Sequence, residues 1–235
     1  MIFEASHFVF RPPPTVARAR RVLIKPDAAR PDRYPATTSR ESLELVIAGI
    51  RRVSDADIII LAGDPEGRPM QPTYQALGYD FPRVLILDVR DSVWIEVESP
   101  LTKPFALPSV WVPNVILSCD YWISMAPFKV VGEMGHFSIR NLLGLLPATK
   151  YPRGELETMG LDRVVADLYF TLPFDLGIVD GRQLLRAEDG REQVEEYGKV
   201  FVGEPFEVDW EASEAARARS DYLGLIDSAR AEFDA

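Results

Sequence analysis

Lys129, His136, Arg140 and Asn141 lie in the approach to an apolar segment within residues 128–147, FKVVGEMGHFSIRNLLGLLP. A segment that only filled a core would keep its charges on the outer face, whereas these lead into a predicted helix over 138–147. A helix amino terminus carries unpaired amide donors and partial positive charge, so cations gathered there form a receptor for carboxylate or phosphate. The competing reading pairs Lys129 and Arg140 with Glu133 and Asp120 as structural ion pairs. Glu133 and His136 also have the i, i+3 spacing that can place two metal ligands on one helical turn. No third ligand is identifiable, so no metal is assigned, and His136 equally suits a helix cap or a proton carrier.

Further polar residues close apolar, β-branched runs: Lys25 and Asp27 after VLI, Asp64 after DIIILAG, and Asp180 in IVDG. The segments VLIKP, DIIILAG, RVLILD, YWISMAP and DLGIVD read as strands. Their apolar residues run on without polar alternation, which means cover on both faces and a mainly parallel sheet. RVLILD is expected to turn at Arg90-Asp91 into a fourth strand, and GKVFVGEP to form a late strand after a charged loop. Helices are expected over TSRESLELVIAGIRRV, with a capping box at its start, over TYQALGYD, over LDRVVADLYFTLP, and over WEASEAARARSDYLGLIDSARAEF as one terminal element. The proline-rich stretch from residue 101 is expected to cross over the sheet. The fold class is therefore α/β: a single domain over 1–235 with a mainly parallel, mixed sheet flanked by helices. In such sheets ligands bind beyond the carboxyl ends of the strands.

The chain has 235 residues with 36 acidic and 26 basic side chains, for a net charge of −10. That sign opposes attraction to phosphate backbones, so no nucleic-acid partner is expected; the local run of Arg18, Arg20, Arg21 and Lys25 reads as a solvated strand entrance or a positive pocket. One cysteine, Cys119, excludes an intrachain disulfide framework and a cysteine-held iron–sulfur cluster, and its apolar company reads as a small buried hydrophobe. The start, MIFEASHFVF, lacks the parts of a secretory signal, and no apolar run reaches the length of a membrane span. A cytoplasmic protein with no membrane partner is expected. Nucleophile-elbow, P-loop and Gly-x-Gly-x-x-Gly patterns do not occur.

Four pieces taken in order, VLIKPD, APFK followed by RNLLGLLP, ADLYFTLPFDLGIVDG and VGEPFEVD, resemble the domain of unknown function 362 family over about residues 22–225. That family reads approximately Ile-Lys-Pro-Asn, Pro-Lys-x-Lys-Thr-His, Lys-Asn-Leu-x-Gly, Ile-Val-Asp-Gly and Asp-Pro-Val-Ala-x-Asp. The resemblance implies an α/β fold with Lys25, Lys129, Asn141, Asp180 and Asp209 at the motif positions. It implies no agreed reaction. Asp27 replaces the asparagine, Val130-Val131 the Thr-His, Arg140 the lysine, Glu204 the first aspartate of the last motif, and Glu207 its alanine. The cysteine-rich segment of many relatives is lacking, and any histidine-dependent chemistry would rest on His136.

Together these residues form an expected site. Lys25, Asp27, Lys129, Arg140 and Asn141 hold a small anionic or phosphorylated ligand. Asp180, Asp209 and His136 supply acid/base or metal-side groups if the protein is an enzyme. A noncatalytic binding or assembly protein would use the same residues to fix a ligand or a partner loop.

Overall fold

The computed structural model describes residues 1–233. After a short strand β1 (Ile2–Glu4) the chain forms β2 (Arg21–Pro26), α1 (Arg40–Arg51), β3 (Asp57–Ala62), α2 (Gln71–Leu77), β4 (Val84–Asp88), β5 (Trp94–Glu98) and β6 (Ser109–Pro113). It continues through β7 (Tyr121–Val131), β8 (Met134–Gly135), a 3-10 turn (Arg140–Leu145), α3 (Arg153–Met159) and α4 (Leu161–Thr171). The last elements are β9 (Leu176–Glu188), β10 (Arg191–Gly203), α5 (Pro205–Ala216) and α6 (Asp221–Phe233).

Eight strands make one mixed sheet in the order β1-β10-β9-β7-β2-β3-β4, with β8 paired to β7. The neighbours from β9 to β4 run parallel, while β1, β10 and β8 are antiparallel additions. The apolar runs have the expected cause. Val22, Ile24, Ile58 and Ile60 point into the core layer that holds α1 residues Leu43, Val46 and Ile50. Leu23, Ile59 and Leu61, one residue out of phase, point into the opposite layer with α4 residues Val164, Val165 and Leu168. A third cluster around Phe128, Phe137, Val179 and Phe201 lies under α5. Ser39 caps α1 by accepting the Ser42 N–H at 3.0 Å, and Gly78 closes α2 in the left-handed region.

Four expectations are corrected. The 138–147 helix is only the six-residue 3-10 turn. Its start is fixed by a side chain described below, and Leu146 is held extended before Pro147, so no room remains for an α-helix. The charged loop after IVDG is instead the far half of a long β9–β10 hairpin. Its turn is Asp189-Gly190, both at positive φ (50° and 76°), the pair that two-residue hairpins favour. The terminal helix breaks at Arg217, whose left-handed φ of 51° closes α5 and lets α6 fold back. The fourth strand, β5, leaves the main sheet and pairs with β6, which comes from the proline-rich crossing. Among the described residues no helix is long and apolar enough to cross a membrane.

Candidate functional site

A cavity of about 210 Å³ lies beyond the carboxyl ends of β2 and β3. Strand ends supply Lys25, Asp27 and Gly63, the interior of β7 supplies Lys129, and the 3-10 turn supplies Arg140, Asn141 and Gly144; α3 and α4 close it with Arg153, Leu156 and Leu161. Five sequence-predicted residues therefore meet, and His136 meets them.

Lys25 is 3% exposed. Its Nζ donates to Asn141 Oδ1 at 2.7 Å and to the Pro26 carbonyl at 2.9 Å, and among the described residues no third acceptor and no carboxylate lies in contact with it. Asn141 is oriented for this role, because its Nδ2 donates to the Lys25 and Met125 carbonyls and to Ser124 Oγ at 3.0–3.1 Å. The carboxamide thus ties β2 to β7 and leaves only its oxygen for the ammonium. A Cβ at Gly144 would stand 2.8 Å from Lys25 Nζ, so glycine there keeps the ammonium uncrowded. Burial pushes Lys25 down to about 8, with Asp27 raising it and Lys129 lowering it.

Lys129 differs in having a counter-ion. Its Nζ donates to Asp27 Oδ2 at 2.7 Å and to the Ala36 carbonyl at 2.8 Å. Burial alone would raise the Asp27 carboxyl, but Lys129 and Lys25 beside it hold it below the usual range. Arg140 Nη1 donates to Asp162 Oδ1 at 2.8 Å, and its other donors have no protein partner among the described residues. The half-buried His136 imidazole also has none. Burial, then Arg140 and Lys129, push it down to about 3, so it is neutral at physiological pH. The expected partners Glu133 and Asp120 are engaged elsewhere, Glu133 with Arg219 and Asp120 with Arg20. Glu133 sits at the tip of the β7–β8 hairpin beside Gly132 (φ 59°), so it shares no helical turn with His136. No group of three His, Cys, Asp or Glu among the described residues is placed to hold a metal.

The structure places Asp180 and Asp209 outside this cavity. Asp180 Oδ1 accepts from Tyr34 at 3.2 Å and Arg182 Nε at 3.0 Å, while Oδ2 accepts from Ser42 at 2.5 Å. It clamps the loop after β2 and the start of α1 onto β9. Asp209, 0% exposed, accepts from the Ser138 N–H (2.8 Å) and hydroxyl (2.6 Å), the Ile139 N–H (2.9 Å) and the Tyr222 hydroxyl (2.8 Å). Burial pushes its carboxyl up to about 6 against the pull of those donors. The amides leading into the 3-10 turn are thus already bound by the chain's own carboxylate, and an external anion must be held by side chains. Asp64 likewise turns away to Arg68 at 2.9 Å. Cys119 is buried, its thiol pushed up by burial, with Sγ donating to the Val115 carbonyl.

Sequence reasoning missed Asp162 and Arg153, which stand at the starts of helices and carry no spacing signal. It also missed Gly144, whose role exists only once Lys25 lies against it.

Residues 22–214 match the family described as Domain of unknown function (DUF362). No curated protein matches the chain. The fold is similar to that of the lactate racemase apoprotein from Thermoanaerobacterium thermosaccharolyticum, with a TM-score of 0.55 and 15% identity. That alignment covers 90% of this chain and 52% of the other, so this chain spans about half of that protein's length and the likeness concerns the fold. With the family model matched over residues 22–214, most of its length, the chain belongs to the DUF362 family.

Proposed function

We propose that the protein binds a small anionic or phosphorylated metabolite in the cavity at the carboxyl ends of β2 and β3. The observation that carries this reading is Lys25, 3% exposed in a wall it shares with Lys129 and Arg140, with no carboxylate in contact with it among the described residues, in a chain of net charge −10. Buried cations cost several kcal/mol each unless countered, and an anion supplies the missing countercharge. Proton donation to a bound ligand would fall to Lys25, pushed down to about 8, while the unpartnered, neutral His136 could only accept a proton; Asp180 and Asp209 are too engaged to share this work. The concave setting, beneath α3 and α4, favours a ligand over the flat partner surface that an assembly protein would offer.

The test is thermal unfolding at pH 7 in sulfate, acetate and chloride at matched ionic strength. Binding only to the folded state adds stability by mass action, so both oxyanions are expected to raise Tm above the chloride value. Equal Tm in all three salts would overturn the proposal.

A further inference from the structure

Three of the four wall cations already have carboxylate partners: Lys129 with Asp27, Arg140 with Asp162 and Arg153 with Glu157. Lys25 alone among them has none in contact, and it is the most deeply buried. The cavity therefore holds one uncompensated charge. A monoanion neutralises it, whereas a phosphate dianion would leave a net negative charge beside buried groups.

Part of the wall is apolar. Leu143, Leu146, Leu156, Leu161 and Phe137 face the same space as the cations. The volume of about 210 Å³ corresponds to about seven waters at roughly 30 Å³ each, below the roughly 300–1,000 Å³ of pockets for drug-sized ligands. That accommodates a chain of several carbons with a carboxylate.

Resting on the anion-site reading above, we infer that the ligand is a short-chain monocarboxylate with an apolar tail. Its carboxylate meets the free N–H of Lys25, the unpartnered donors of Arg140 and the His136 imidazole. Its tail lies along Leu143, Leu146 and Leu156.

Isothermal titration at pH 7 with acetate, butanoate, hexanoate, hexan-1-ol and sulfate tests this. Each buried methylene is expected to tighten binding roughly fourfold until the tail fills the cavity. Hexanol is expected not to bind measurably, and sulfate to bind more weakly than hexanoate. Leu143→Asn, at a half-buried wall position, should flatten the chain-length dependence while leaving acetate binding in place. Affinity independent of chain length, or sulfate tighter than hexanoate, would overturn the monocarboxylate while leaving an anion site standing. Hexanol binding as tightly as hexanoate would overturn the carboxylate and the anion site together.

Discussion

Lys25 and Asp209 are both deeply buried ionisable residues, yet the fold treats them oppositely. Asp209 collects four donors from Ser138, Ile139 and Tyr222 and so is saturated by the protein itself. Lys25 receives two neutral acceptors and no counter-ion in contact, beside a cavity. Asp167 follows the Asp209 pattern, taking the N–H groups of Phe105, Ala106 and Leu107 at 2.7–2.9 Å. The contrast separates two uses of buried charge. A carboxylate whose lone pairs are all met by the chain fixes that chain's path, whereas a cation left one partner short is a receptor.

If that division is right, the two kinds of residue should fail differently on substitution. Asp209→Ala strands two backbone N–H groups and the Tyr222 hydroxyl in the core, and should destabilise by about 3–5 kcal/mol in urea unfolding. Lys129→Ala leaves Asp27 charged, mostly buried and without its ion-pair partner, with an expected loss of about 3 kcal/mol even in chloride. Adding Asp27→Asn should recover much of it, and a double-mutant cycle reads the coupling. Lys25→Met should stay within about 1 kcal/mol of wild type, since losing the Asn141 bond is offset by removing a desolvated charge. The same variant should lose the stabilisation by acetate and sulfate. A large stability loss for Lys25→Met, with anion response intact, would make Lys25 another Asp209.

The pH dependence sharpens the comparison further. The folded-state value of Lys25 lies below its ordinary 10.5, so between about 8 and 10.5 the unfolded chain holds a proton that the fold has released. Stability without anion should therefore rise with pH across that window in wild type, relative to Lys25→Met. Sulfate does not titrate there, so its stabilising effect should fall as pH passes about 8. A sulfate effect unchanged from pH 7 to 9.5 would place the receptor charge elsewhere.

Much of the scaffold was legible because it depends on local pattern. The runs VLI and DIIILA had to be covered on both faces, and Val22/Leu23 and Ile58/Ile59 show each face separately buried. Lys25 was placed by its strand end, whereas Lys129 comes from within β7, and Arg140 and Asn141 reach the cavity from a 3-10 turn rather than from the expected helix. What was not legible depends on long-range pairing. Nothing adjacent in sequence says that Asp209 reaches Ser138 across 71 positions, and that contact is what replaces the expected helix terminus. Nor could spacing reveal that Lys129 is neutralised by Asp27, 102 positions away, while Lys25 is left without a counter-ion. The hairpin turn Asp189-Gly190 is different: the Asp-Gly pair is itself a local two-residue hairpin signal, set among charged residues.

The central claim, that Lys25 is a buried cation awaiting a monoanion, is tested most directly by following the Lys25 side chain through its own titration by NMR, with and without saturating hexanoate. Without ligand the midpoint should lie near 8. With ligand it should move up toward the ordinary lysine value, because an anion that prefers the charged form must by linkage hold the proton on it. A midpoint that hexanoate does not move, or one already at the ordinary value in the free protein, would contradict the account.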